Sequence, residues 1–515
     1  MNPQVVKRSF YFPSYSKWVL LVLLISMSWV YGYQKILFLR PQGVHQWRQC
    51  DCLSMTMCYY QDRNSFFEPA IQNLGNGTGK AAAEFPLLYY LVAQLWKIFG
   101  AQEFIYRLVV ILVSFTGLFA LFRLTEETLK DSFWALWITG LLFTSPLLVY
   151  YTNNFLVNVP ALALALAGFY YFRKYYLSGR EKYLIFFCLC FLIAGLLKVT
   201  AIAGLFVVAV IFILEKYIGI RFKDGENIFP SVRKCVLPFI IVLASIASWY
   251  LYVSAYNKRF NEFIFLTTPL PAWKLGAEDF QRVLNAIWEN VRWNYFRPAE
   301  EWVLLIMFVL VIIQWRKVNR LLLVLTIVFS ACFLAFVILF FKNLDVHDYY
   351  MIDFLVLMPL ISLTFLSGLR ENYFKVFNSV FLRVIAVAFL VHNMDFAMRR
   401  IEGRYNADSY LNENRTKFTY ALEDVTPFLR SLGISEQDTV ICFPDSSPDI
   451  SLYLINQKGW TQYNVPVDSV VIREKIKMGV MYLIIYDPAL YADKNLSPFL
   501  GNKIGQYKIV DVYKL

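Results

Sequence analysis

An α-helical polytopic membrane protein with a small C-terminal α/β domain is the fold class this sequence predicts, on three observations. Hydrophobic residues fill 58% of the 515 positions and charged residues 17%, where a soluble chain carries about a quarter charged. Apolar runs long enough to span a bilayer, or nearly so with tilt, recur as far as residue 392. Beyond residue 394 the pattern changes to short strand-like and helix-like runs.

The apolar runs lie near 18–35, 104–123, 133–151, 153–172, 183–198, 199–217, 235–255, 301–315, 320–341, 349–367 and 374–392, about eleven transmembrane helices. The first has no small-residue cleavage site and is followed by "QKILFLR", so it is expected to stay as an anchor. Lys and Arg cluster at Lys7, Arg8 and Lys17, in Arg173 to Lys182, in Lys216 to Lys234, in "RKVNR" from Arg316 to Arg320, and in Arg370 to Lys375. The positive-inside rule assigns these linkers and the N-terminus to the cytoplasm. The +12 net charge is read as this bias together with attraction to lipid phosphate, with no nucleic acid partner.

The run 84–100, "EFPLLYYLVAQLWKIFG", would break that parity if it spanned. It is short, carries Lys97 and begins Glu-Phe-Pro, so a helix lying along the membrane surface is expected. Segments 36–103, 256–300 and 342–348 then share the outer face with the chain beyond 393. The expected domains are a transmembrane unit, 1–393, and an extracytoplasmic α/β unit, 394–515.

In the tail, "DTVICF", "KGWTQY", "YLIIYD" and "YKIVDVYKL" read as strands, and "DISLYLIN" and "DSVVIREKIKM" as helices, after the charged helical stretch "SYLNENRTKFTYALEDVTPFLRSLG". No Gly-rich phosphate fingerprint occurs there, which suits a supporting or acceptor-facing role. Of eight cysteines, Cys188, Cys190, Cys235 and Cys332 lie in apolar runs. Cys50, Cys52 and Cys58 share one predicted helix, and Cys50 and Cys58 would stand about 12 Å apart along its axis, too far to bridge. No zinc spacing and no disulfide framework is read.

Long ordered loops tend to carry function, and the polar chemistry gathers on the expected outer side. In "GVHQWRQCDCLSMTMCYY", three- and four-residue spacing puts Arg48, Asp51 and Cys52 on one helix face, with His45 one turn before Arg48. Glu84 follows in the same segment. Lys198 in "GLLKVTA" opens a helix pair, and His347, Asp348, Tyr349 and Tyr350 precede another helix. Ionisable groups at a membrane edge are costly, which points to work on a ligand. Sugar transfer from a lipid phosphate needs this combination: a base for the acceptor hydroxyl, and Arg or Lys to neutralise the leaving phosphate. The sequon Asn76-Gly77-Thr78 is read as chance.

"HQWRQCD", then "EFPLLYYLVAQLWKIFG", then "EFIYRLVVILVSFTGLFALFRL", with the later "HDYY", resembles bacterial membrane glycosyltransferases of the GT-C superfamily over residues 15–390. The similar branch holds the protein mannosyltransferases and aminoarabinose lipid A transferases, glycosyltransferase families 39 and 83. The resemblance implies an outward-facing site in a bacterial inner membrane, with the tail in the periplasm. It also implies a polyprenyl-phosphate-linked sugar donor, a lipid, glycan or protein acceptor hydroxyl, and a single inverting displacement.

One departure bears on mechanism. Relatives usually carry an Asp-Glu pair a few residues before the Arg, and here His45 and Gln46 occupy those places. Asp51 is the nearest carboxylate to serve as base, with His45 as a rival base or acceptor-orienting group. Glu84 matches a glutamate that positions acceptor or donor. Arg48 and then Lys198 are assigned to the donor phosphate. Tyr349 and Tyr350 are assigned to phosphate or sugar, and His347 and Asp348 to sugar hydroxyls. A divalent metal is left open, because the acidic pair is missing.

Bland readings compete. Arg48 and Asp51 would form a helix-surface ion pair, Lys198 would snorkel, both tyrosines would join the aromatic belt, and Glu84 would cap the surface helix. For the whole chain the alternative is a transporter or flippase of lipid-linked sugars. The sequence shows no clear internal repeat, and its charges sit at helix mouths rather than mid-bilayer.

Overall fold

A computed structural model describes residues 10–75, 77–223, 226–262, 264–265, 269–406, 415 and 417–515. Lys7, Arg8 and Asn76 of the sequon lie outside the described residues, as do 407–414 and 416 of the charged stretch after the last span.

The chain opens with α1 (Pro13–Val30) and the single turn α2 (Tyr33–Ile36). Segment 36–103 carries α3 (Gln46–Gln61) and α4 (Leu87–Phe99). Next come α5 (Glu103–Leu129), α6 (Ser132–Leu142), α7 (Pro146–Thr152), α8 (Asn158–Ser178) and α9 (Glu181–Leu197). A 3-10 turn, Val199–Ile202, leads into α10 (Ala203–Lys216), followed by α11 (Val232–Arg259), α12 (Ala277–Ala286), α13 (Pro298–Ile313) and α14 (Arg320–Leu339). A 3-10 stretch, Asp348–Val356, runs into α15 (Leu357–Asn372), and α16 (Phe374–Phe377) precedes α17 (Val380–Tyr405).

Among the described residues, seven helical segments are long and apolar enough to cross a membrane, and α6 with α7, bent by 78°, makes eight. The remaining expected runs coincide with α8, α9 and α13, of 21, 17 and 16 residues. The α6–α7 break has a local cause. Pro146 cannot extend the hydrogen-bond ladder of α6, and the Ser145 side chain instead accepts from Leu148 N at the start of α7. At 13 residues α4 is about 20 Å long, well short of a hydrocarbon core of about 30 Å.

Packing between spans uses small residues, as expected where apolar area gains nothing over lipid. Gly117 of α5 meets Ala163 of α8 so closely that a Cβ at 117 would lie 2.4 Å from the Ala163 Cα. The basic linkers gather at one end of the bundle: Arg320 donates to Arg221 O, Lys317 to the Tyr373 hydroxyl at 3.0 Å, and Lys234 pairs with Glu181 at 2.5 Å. Near that end, a cavity of about 150 Å3 lies among α5, α8, α14 and α15, lined by apolar side chains with Arg173 and Glu371. The opposite end carries α3, α4 and the tail.

Residues 439–514 form a five-stranded sheet ordered β2-β1-β3-β5-β4, from β1 (Thr439–Phe443), β2 (Lys458–Thr461), β3 (Tyr482–Ile485), β4 (Lys503–Tyr507) and β5 (Val510–Lys514). β1 pairs parallel with β2 and β3, whereas β5 is antiparallel to β3 and β4. The central strands are buried on both faces, hence their unbroken apolar runs. The run "YKIVDVYKL" is not one strand: the chain turns at Lys508, φ 54°, so Tyr507 ends β4 and Val510–Lys514 forms β5.

The sheet's β2 edge is covered by segment 36–103. Leu74 N donates to Gly459 O at 2.8 Å, Gly459 N to Gln72 O at 3.1 Å, and the Trp460 indole to Gly75 O at 2.8 Å. The helix α18 (Ile450–Ile455) packs on α3, and its Tyr453 hydroxyl donates to Glu103 at 2.9 Å.

Candidate active site

Four chain segments meet at the tail end of the bundle, and all nine residues singled out in the sequence lie on them. The first is α3. His45 precedes it with φ 57°, in the left-handed region, which sets the imidazole against segment 347–350. Arg48 and Asp51 follow one and two turns on. Arg48 Nη2 stands 2.5 Å from Glu84 Oε2, and Nη1 stands 3.6 Å from Asp51 Oδ2.

Glu84 belongs to the second segment, just before α4, whose N-cap is Pro86. The expectation that Glu84 caps the surface helix is thus replaced by a buried ion pair. The third is the α9–α10 junction, where Lys198 Nζ lies 3.9 Å from Glu84 Oε1 and 4.7 Å from the Tyr350 ring centre. Beyond hydrogen-bond distance of Glu84, this ammonium is held by charge and the ring face.

The fourth segment is 347–350. Its rings continue the chain of contacts: Tyr350 meets Tyr349 at 5.0 Å, and Tyr349 meets His45 edge-on at 4.9 Å. His347 stacks on Tyr350 at 5.2 Å, and its buried Nδ1 has no hydrogen-bond partner among the described residues. The contacts close into a ring from α3 through 347–350, Lys198 and Glu84 back to α3.

Asp348 anchors the ring. Its Oδ1 stands 3.2 Å from His45 Nε2 and accepts from the Tyr151 hydroxyl at 2.7 Å. Its Oδ2 accepts from Arg404 Nη2 at 2.7 Å and from Asn294 Nδ2 at 3.3 Å. Sequence reasoning missed Tyr151, Asn294 and Arg404. Arg404 lies beyond residue 392, where the apolar run ends. There α17 continues as a polar helix, with an Asp395–Arg399 pair at 3.1 Å on its exposed face and Arg404 buried. A further buried carboxylate, Asp353, accepts from the hydroxyl of Thr200, two residues after Lys198.

The electrostatics separate the acidic groups. Asp51 is 3% exposed, and burial pushes its carboxyl up to about 7 against the pull of Arg48, with Glu84 and Asp445 adding to the rise. Burial also pushes Glu84 up, but Arg48 and then Lys198 outweigh it and the net shift is down. His347 is lowered to about 4, first by burial and then by the neighbouring His45 imidazole and Lys198 ammonium, so it is neutral at pH 7. Asp51 Oδ1 and Arg48 Nη1 have no hydrogen-bond partner among the described residues. Among the described residues no group of three or more His, Cys, Asp or Glu stands where a metal ion would be held. Glu84 and Asp51 are turned to Arg48, Glu84 also to Lys198, and Asp348 to Arg404.

This fold is shared with the solved structures of ArnT and of archaeal oligosaccharyltransferases. ArnT from Cupriavidus metallidurans bound to undecaprenyl phosphate superposes with a TM-score of 0.58 over 96% of this chain and 97% of that one, at 11% identity. The apo oligosaccharyltransferase of Archaeoglobus fulgidus gives 0.55 at 12% identity over 90% of this chain and 69% of that one. The oligosaccharyltransferase AglB from the same organism, in complex with an inhibitory peptide and a dolichol-phosphate, gives 0.52 at 11% identity, covering 92% and 70%. No family model matches the sequence, and no curated protein matches it.

Proposed function

We propose that the protein is a multi-pass membrane glycosyltransferase that moves one sugar from a polyprenyl-phosphate donor to an acceptor hydroxyl, with inversion, on the outer face of a bacterial inner membrane. The observation that carries this reading is the closed ring of contacts joining Arg48, Glu84, Lys198, segment 347–350 and His45. It sets two cations, an incompletely paired carboxylate and a histidine side by side at the end of the bundle away from the basic linkers. The fold supports the donor class, since ArnT and AglB each have structures with a lipid phosphate.

Arg48, through the Nη1 that makes no hydrogen bond among the described residues and stands 3.6 Å from Asp51, and Lys198 receive the donor phosphate and stabilise the charge that develops as the sugar leaves. Asp51 takes the acceptor proton. Its raised pKa puts it near the operating pH, where a general base combines ionised population with driving force. His45, backed by Asp348, is the rival base, since a carboxylate on one imidazole nitrogen leaves the other to act. Glu84 spaces the two cations. Tyr349 and Tyr350 wall the donor side, and His347 offers a neutral ring to sugar hydroxyls. Residues 417–515 roof the site on the same face.

Purified protein given a short-chain polyprenyl-phosphate carrying a labelled sugar and a mixture of envelope glycolipids should label an acceptor. A transporter instead moves the donor across liposomes and labels nothing, and that result would replace this reading.

A further inference from the structure

Of residues 46–61 in α3, one side chain is exposed: Trp47, at 41%. Its neighbours are buried between α4, α18 and the ring of contacts around Arg48. The side chain it meets is Tyr463 of the tail, 39% exposed, with ring centres 5.5 Å apart and planes at 82°. A tryptophan of the membrane belt would face lipid, whereas Trp47 faces the roof.

The backbone that carries each ring is anchored. Trp47 sits on a helix anchored by Gln49, whose amide donates to Gln42 O at 2.8 Å and Val44 O at 3.0 Å. Tyr463 N donates to Asp445 O at 3.1 Å, and the Asp445 carboxylate gathers Ser447 N at 2.8 Å, Ser447 Oγ at 2.6 Å and Ser451 N at 2.7 Å. Trp47 lies four residues before Asp51, one turn away on the same helix face. The Tyr463 phenol is shifted up by burial and then by the charge of Glu262 and Asp51, which places it within electrostatic reach of the site. Polar Gln462 and Asn464 flank it.

We infer that Trp47 and Tyr463 form the acceptor subsite and take a carbohydrate ring, so that the acceptor is a glycan or a glycolipid head group rather than a bare polypeptide. This rests on the transferase reading above. A pyranose presents C–H faces to an aromatic wall and hydroxyls around its rim, and the pair offers flat apolar faces with acidic and amide groups beside them. A ring stacked on Trp47 would bring a hydroxyl toward Asp51 one helical turn below.

Saturation-transfer NMR on the full chain in lipid nanodiscs tests this without any turnover. The probes are maltotriose, chitotriose and a core oligosaccharide freed from lipopolysaccharide, with a serine-rich peptide of similar mass as control. The expected result is saturation of the ring protons of at least one oligosaccharide and not of the peptide. Trp47→Ala and Tyr463→Ala should each weaken it about tenfold, the worth of one aromatic face, and Trp47→Phe and Tyr463→Phe should keep most of it. If Trp47→Ala fails to fold, Tyr463→Ala, in an exposed loop, carries the same comparison. No oligosaccharide signal in the parent protein, a signal indifferent to both alanine variants, or equal binding of the peptide would overturn the inference. Sugar binding lost in the alanine variants of a protein that transfers nothing would reject the transferase reading and retain the sugar site.

Discussion

Asp348 and Asp51 belong to one ring of contacts and are held in opposite ways. Asp348 meets four donors on its two oxygens, from Tyr151, Arg404, Asn294 and His45. Among the described residues Asp51 pairs with Arg48 alone, at 3.6 Å, and one of its oxygens has no hydrogen-bond partner though buried. Buried carboxylates are normally satisfied, so the saturated one fixes structure and the unsatisfied one awaits a ligand. The contrast also assigns the cations: Arg404 is committed to a carboxylate, whereas Arg48 and Lys198 share Glu84 at unequal distance and retain donors for phosphate.

The largest effect that would break this contrast is loss of the base. Asp51→Asn should lower transfer about 10²- to 10⁴-fold with the fold intact, read from label transfer by purified protein. If Asp51→Asn turns over normally and His45→Ala does not, the base is His45, and Asp348 becomes its orienting partner. Arg48→Ala should cost about 10²- to 10³-fold in rate. Arg48→Lys should recover little, because the site uses a planar fork between Glu84 and Asp51.

Arg404→Ala should act on stability instead. It leaves Asp348 buried without its strongest donor, at a cost of about 3–5 kcal/mol, seen as a lower melting temperature in detergent. Equal losses of rate and stability in Arg404→Ala and Arg48→Ala would erase the distinction between the halves.

The smallest effect is in pH. A carboxyl whose folded pKa of about 7 lies above its reference value of 3.8 favours folding while protonated. That stabilisation is complete below the reference value and is lost as pH rises through 7. The same ionisation creates the base, so transfer should climb as pH rises toward 7 while thermal stability declines. Asp51→Asn should flatten the stability trend, and a trend unaltered by that change would assign the titration elsewhere.

The membrane scaffold was legible in the sequence because lipid forces every spanning backbone into helix, and composition then reveals each run. The same logic brought His45 and Asp348 to one end, since linker charge and parity allow one arrangement; the structure puts them 3.2 Å apart. The partners of Asp348 were not legible. Tyr151 reads as one more aromatic in an apolar run, and Arg404 as the start of a charged tail. β4 was missed because Gly505 and the exposed Lys503 give an edge strand no apolar alternation. The seam between segment 36–103 and β2 is made by backbone groups of Gln72, Leu74 and Gly459, which no side-chain pattern announces.

The most direct test of the central claim is a cryo-EM map of the protein in nanodiscs with a short-chain polyprenyl phosphate. The account predicts phosphate density within about 3 Å of Arg48 Nη1 and Lys198 Nζ, with Lys198 drawn away from Glu84. Phosphate density beside Arg173 in the cavity near the basic linkers, with the Arg48–Glu84–Lys198 contacts undisturbed, would contradict it.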